Sequence, residues 1–196
     1  MRSLIYADAR YGAAFWAAYG LWFALEAVGS LTQRARQGVR QDRGSYGVLI
    51  GLLYAGLALG FWSSLSLPRA TIAWHQPLLV AAGITLILGG LGLRWYAIRV
   101  LGRYFTREVA VQPDQQVVQR GPYRFIRHPA YAGTLLTLLG IGLAMTNWAS
   151  IVAIMACGLL GHLYRVRVEE RALCATLGPA YAAYMRRTRR FIPFLW

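Results

Sequence analysis

The sequence has no lysine: all 21 of its basic residues are arginine, set against only seven acidic ones. Charged residues of every kind make up 14% of the chain, where a soluble domain carries about a quarter. A deficit of that size excludes a surface that faces water all round. Without lysine no phosphate-binding G-x-x-x-x-G-K-[ST] loop can be completed. There is no G-x-S-x-G and no H-E-x-x-H, which removes the common serine-hydrolase and zinc-peptidase signatures. The two cysteines, Cys157 and Cys174, form no C-x-x-C pair, and the three histidines, at 75, 128 and 162, have no metal-ligand spacing. The one glycine cluster, Gly89-Gly90-Leu91-Gly92, lies inside an apolar run and follows no strand, so it is not a dinucleotide loop. No Ser/Gly-rich or Pro-rich stretch marks a linker, and a single membrane domain over 1–196 is expected. No apolar segment with a small-residue cleavage site precedes the first long run, so no removable signal peptide is expected.

What is there is apolar. Hydrophobic residues account for 57% of the chain and the mean hydropathy is +0.40. About 20 apolar residues in a helix cross the hydrocarbon core, and runs at 11–30, 46–67, 76–101 and 147–164 meet that length. A fifth at 129–145 is shorter but apolar throughout, and it joins the last run across Thr146-Asn147. The expected fold is all-α, with five transmembrane helices of which the last two form a hairpin. Trp16, Trp62, Trp74, Trp95 and Trp148 fall near helix ends, as interface anchors do. Gly56 and Gly60 give a small-xxx-small spacing suited to close helix packing.

The arginines set the orientation. Arg34, Arg36, Arg40 and Arg43 lie in 31–45. Arg103, Arg107, Arg120, Arg124 and Arg127 lie in 102–128, and seven more lie from Arg165 onward; the opposite side holds only Arg2, Arg10 and Arg69. The positive-inside rule then places the C-terminus and both basic loops in the cytoplasm and the N-terminus outside. The net charge of +14 is accounted for by topology and lipid headgroups, and no nucleic-acid partner is needed. The lipid bilayer is the expected partner, taken as a bacterial inner membrane. Glu26 lies within a span, where an acid is a functional candidate unless it reaches water or an arginine.

Polar residues gather at two places on the expected cytoplasmic side. One runs from Gly121-Pro122-Tyr123 to Arg127-His128-Pro129-Ala130-Tyr131. Pro129 suits the first position of a helix, which puts His128 at its start and Tyr131 one turn on, beside free amides that favour an anion or a carbonyl oxygen. The other is Arg165 to Glu170, where Arg165 and Glu169 are four apart and share a helix face, with His162 one turn deeper. Glu169-Glu170 is the only acidic pair in a tail otherwise rich in arginine. Locally, each group also reads as headgroup contacts and paired charges on a helix leaving the bilayer.

The order of these motifs resembles the isoprenylcysteine carboxyl methyltransferase family. It runs G-x-Y (Gly121 to Tyr123), R-H-P-x-Y (Arg127 to Tyr131), a turn at Asn147-Trp148, R-x-x-x-E-E (Arg165 to Glu170), G-x-x-Y-x-x-Y (Gly178 to Tyr184) and R-x-x-P (Arg190 to Pro193). The resemblance covers residues 100–196, and phospholipid N-methyltransferases and bacterial thiol methyltransferases share much of it. The first three runs, over 1–101, read as a three-helix scaffold, and the resemblance implies that 102–196 binds S-adenosylmethionine, releasing S-adenosylhomocysteine, in a cytoplasm-facing pocket. Tyr123, His128, Pro129, Ala130, Tyr131 and Glu169 would contact the donor, and Gln115, Gln116, Val117 and Val118 would line its adenine side. Glu108 is a weaker carry-over, from a variable stretch. Arg165 would hold the methyl acceptor.

The residue types suit that chemistry. Aromatic faces stabilise a sulfonium cation, and a carboxylate accepts hydrogen bonds from ribose or ammonium groups. A carboxylate acceptor is already ionised and needs only alignment and a cation to fix it. Arg165 therefore favours an anionic acceptor, the carboxylate of a prenylcysteine-like molecule first, with a thiol or a phospholipid amine as alternatives. From other classes, a sterol-type membrane reductase using NADPH and a non-catalytic membrane scaffold stay open.

Overall fold

The computed structural model describes residues 2–32, 39–40, 42, 44–106, 110–111 and 114–192. Arg34, Arg36, Arg43, Arg107, Glu108 and Pro193 lie outside them. Among the described residues the chain is helical: α1 (Leu4–Ala7), α2 (Ala9–Thr32), α3 (Ser45–Ser66), α4 (Gln76–Leu101), α5 (Pro129–Ala144), α6 (Trp148–Leu177) and α7 (Pro179–Arg187). Four of these, α2, α3, α4 and α6, are long and apolar enough to cross a membrane. Their outer faces are studded with bare apolar side chains; Leu78 and Leu160 are 67% and 60% exposed. Water does not tolerate a surface of that kind and lipid does. The chain is an integral membrane protein. Helix α5 has 16 residues, about 24 Å at the usual rise, which is less than the hydrocarbon thickness of about 30 Å.

Glycines decide which helices touch. Helices α4 and α5 run antiparallel with Gly83 against Gly140 and Gly90 against Gly133. A Cβ on Gly90 would lie 2.5 Å from the Gly133 carbonyl, and one on Gly140 would lie 2.5 Å from that of Gly83. Only glycine lets the two backbones approach so closely. The Gly56/Gly60 spacing packs inside the molecule as well, against Cys157 and Ile154 of α6. Gly90, from the cluster at 89–92, is thus a packing residue.

The turn between α5 and α6 is fixed by Thr146 at positive φ and by Asn147, whose side chain accepts the Ser150 amide at 3.1 Å and caps α6. The Asn147 amide also donates to the Leu67 carbonyl at 3.1 Å, tying the hairpin to the end of α3.

Two features go beyond the sequence reading. The helix that carries Arg165 to Glu170 out of the apolar run continues unbroken past that motif to Leu177. Hydropathy falls after Tyr164 while helix-forming residues continue, with Val166 and Glu170 buried on one face and Val168 and Ala172 on another. A two-residue antiparallel ladder, Val39↔Val111 and Arg40↔Ala110, also joins the two arginine-rich connections. It is too short to leave a periodic signature.

Candidate functional site

Among the described residues of 102–128, 3-10 turns form at Gly102–Tyr104 and Gly121–Arg124. The C-terminal strand of chain returns alongside it. The Arg127 and His128 amides donate to the carbonyls of Arg189 and Arg190, at 2.7 and 3.1 Å. His128 then caps α5, with Pro129 in the first turn.

The acidic pair divides its work, because neighbouring residues on a helix point about 100° apart. Glu170 faces inward and is 5% exposed. One oxygen accepts from Arg127 Nε at 2.8 Å and lies 3.4 Å from His128 Nε2; the other accepts from Arg190 at 2.9 Å. Arg127 also donates to the Met185 carbonyl at 3.1 Å and to that of Thr188. Glu170 is therefore the knot that joins α6, the start of α5 and the returning tail. Burying a carboxylate is tolerable only with such pairing.

Glu169 lines a cleft with Tyr131, His128 and Arg165. Its carboxylate accepts from the Tyr131 hydroxyl at 2.7 Å. That hydroxyl in turn accepts from Arg165 Nε at 3.2 Å. The Tyr131 ring stacks on His128, with centroids 5.5 Å apart and planes 13° apart, and meets His162 edge-on at 5.3 Å. Gln115, Gln116, Val117, Val118, Tyr123 and Ala130 also line the cleft. Of the eleven site residues expected from sequence, ten line this one cleft; Pro129 sits behind it at the helix start.

Sequence reasoning did not assign Tyr104, Phe105, Thr106, Leu173, Leu177, Tyr181 or Tyr184, all of which also line the cleft. For the last two a signal existed, since they are the tyrosines of G-x-x-Y-x-x-Y. Burial pushes the Tyr184 phenol up to about 12, Arg127 and the Thr188 hydrogen bond pulling the other way, and burial raises those of Tyr123 and Tyr181 as well. All three stay protonated near neutral pH. Tyr184 donates to the Tyr123 carbonyl at 2.8 Å, which holds α7 over the cleft.

Arg165 is 1% exposed and is more heavily engaged than the sequence implied. Besides Tyr131 it pairs with Asp42 and donates to Ser45 Oγ at 2.8 Å. Both belong to the N-terminal half, which is thus part of the site as well as scaffold.

A second cavity also borders Arg165. Its walls are mostly apolar, from Trp22, Phe23, Leu49, Ile50, Leu53 and Leu57, and it shares Phe105, Thr106, Tyr131 and Arg165 with the first. Glu26 belongs to this cavity. It is held by Arg94, with one bond at 3.1 Å, as a charge within a membrane must be. His162 Nδ1 lies 2.7 Å from the Gly158 carbonyl; a carbonyl only accepts, so this nitrogen carries the proton. The arrangement is two chambers, one polar and aromatic and one oily, meeting at a partition that includes Phe105, Thr106, Tyr131 and Arg165.

Residues 82–175 match the sequence profile of the isoprenylcysteine carboxyl methyltransferase family. The chain is 32% identical over 158 residues to the cobalt-zinc-cadmium resistance protein CzcN of Cupriavidus metallidurans, covering 80% of this chain and 65% of that one. It is 30% identical over 115 residues to protein-S-isoprenylcysteine O-methyltransferase B of Arabidopsis thaliana, 58% of each chain. It is 29% identical over 115 residues to protein-S-isoprenylcysteine O-methyltransferase of Saccharomyces cerevisiae, 58% of this chain and 48% of that one. The chain thus spans between about half and two thirds of the length of these relatives.

Proposed function

We propose that this chain, which belongs through residues 82–175 to the isoprenylcysteine carboxyl methyltransferase family, transfers a methyl group from S-adenosylmethionine to a lipophilic acceptor, with the carboxylate of a prenylcysteine-like molecule as first candidate. The observation that carries the reading is the partition between the chambers. Tyr131 joins Glu169 on the polar side to Arg165, which borders both cavities.

The polar cleft fits the donor by its chemistry. Glu169 supplies a carboxylate for amine or hydroxyl groups, and Tyr131 and His128 supply aromatic faces for a cation. Val117 and Val118, both half-buried, offer an apolar wall with backbone groups for a flat base. When bound, S-adenosylmethionine supplies an electrophilic methyl on a sulfonium. The chain's own part is alignment: Arg165 holds the acceptor at the mouth of the oily chamber, whose apolar walls take its tail. Five crossings with the C-terminus in the cytoplasm of a bacterial cell belong to the same reading.

CzcN is named for metal resistance, but among the described residues no group of three or more His, Cys, Asp or Glu gathers. Methyl transfer is the better-supported activity. It is tested by supplying labelled donor to the protein in liposomes with a prenylcysteine, a lipophilic thiol and phosphatidylethanolamine side by side. Label in the prenylcysteine ester fraction is expected. No label in any acceptor, together with no calorimetric binding of S-adenosylhomocysteine, would sink the proposal, and binding of NADPH instead would favour the reductase.

A further inference from the structure

We propose that Asp42 selects the methyl acceptor by occupying, on Arg165, the place that an acceptor's carboxylate takes. The inference rests on the reading of Arg165 as the acceptor-holding residue, and it concerns a part of the chain outside the family match.

Asp42 lies 123 positions before Arg165, yet the two form an ion pair in which the arginine is almost wholly enclosed; the side chains are 2% and 17% exposed. Asp42 is not held by that contact alone. Its Oδ1 also accepts from Ser45 Oγ at 2.9 Å, and its Oδ2 accepts from the Tyr46 amide at 3.1 Å, in the first turn of α3. Free amides at a helix start are good hosts for a carboxylate. Asp42 can therefore let go of Arg165 and keep two partners. The guanidinium already donates to the Tyr131 hydroxyl, itself bound to Glu169. An incoming carboxylate would be a third acid around one arginine. Like charges that close, in a site sheltered from water, are strongly unfavourable, so the incoming group binds by displacing Asp42.

The same competition gives turnover a direction. When a carboxylate oxygen forms its bond to the methyl carbon, the carbon–sulfur electron pair stays on sulfur, the sulfonium becomes a neutral thioether and no proton moves. The acceptor changes from an anion to an uncharged ester. The ester has lost the charge that displaced Asp42, and the resident carboxylate returns to Arg165. Asp42 thus discriminates acid from ester at the point where that distinction drives product release.

The test compares binding of N-acetyl-S-geranylgeranylcysteine with binding of its methyl ester, by calorimetry in detergent micelles, to the full chain and to Asp42→Asn. Asp42→Ser is run in parallel, because serine keeps a helix-capping oxygen without the charge and guards against one variant misfolding. In both variants the acid is expected to bind at least roughly tenfold more tightly, the size of one charge-assisted hydrogen bond, while the ester changes less than about twofold on the same scale. Acid affinity that is unchanged, weaker or undetectable in both variants overturns the proposal. Equal tightening of acid and ester also overturns it, since Asp42 would then be a steric plug. A titration of the wild-type chain with S-adenosylhomocysteine reports separately on the methyltransferase reading, whose failure leaves the acid–ester comparison decisive for Asp42.

Discussion

Tyr131 carries one hydroxyl between a carboxylate and a guanidinium, and one ring between two imidazoles. Removing the oxygen alone separates these roles. Tyr131→Phe keeps the stack on His128 and cuts the link from Glu169 to Arg165, so acceptor KM should rise more than donor affinity falls. If Glu169 holds the donor as proposed, Glu169→Gln is expected to weaken S-adenosylhomocysteine by roughly tenfold or more, as loss of a charge-assisted hydrogen bond does; calorimetry in detergent checks it. Its neighbour behaves differently. Glu170→Ala leaves Arg127 and Arg190 without their shared carboxylate and should cost about 3–5 kcal/mol of stability, the usual penalty for breaking a buried pair. A thermal melt no lower than wild type would contradict the role given to Glu170.

At the scale of elements, the contact of α4 with α5 is set by glycine and is sensitive at single positions. Gly90→Ala places a methyl against the Gly133 backbone, and overpacking of this kind costs about 1–3 kcal/mol. Gly92 lies two residues on, with nothing within 4 Å of its Cβ position. Gly92→Ala should be neutral or stabilising by up to about 1 kcal/mol, so paired melts of the two variants isolate the packing effect. The helices themselves were largely legible in the sequence. The run 46–67 became Ser45–Ser66 and the run 76–101 became Gln76–Leu101, because apolar length and flanking glycine or proline mark such ends. The spacing of Arg165 and Glu169 already carried α6 past its apolar run, but its end at Leu177 was not legible, since hydropathy reports burial in lipid and says nothing of how far a helix continues beyond it. The division between Glu169 and Glu170 follows from helical geometry, but their partners do not. Arg127 and Arg190 arrive from segments 43 and 20 residues away, and no local pattern encodes that meeting. Asp42 was invisible for the same reason, as a lone acid in an arginine-rich loop.

On the scale of the whole molecule, the two halves are interdependent. Helix α6 rests on α3 through Gly56 and Gly60, and Arg165 takes Ser45 and Asp42 as partners. A chain cut to 82–196 retains the family match but loses these supports. It should fail to bind S-adenosylhomocysteine in membranes where the full chain binds, which a labelled-ligand filtration assay would show.

The unbroken length of α6 also fixes a depth. From Trp148 to Glu169 is about 31 Å along the helix at 1.5 Å per residue, close to the hydrocarbon thickness of about 30 Å. Under the proposed function, and with Trp148 at one water boundary as its place near the helix start suggests, the helix would act as a ruler that delivers the proposed transfer point to the other boundary, where a lipid's head surfaces while its tail stays in oil. Bilayer thickness then becomes a variable of the reaction. Methyl transfer should peak in vesicles whose acyl chains match the ruler and fall in both thinner and thicker ones, as site and acceptor head are carried to different levels.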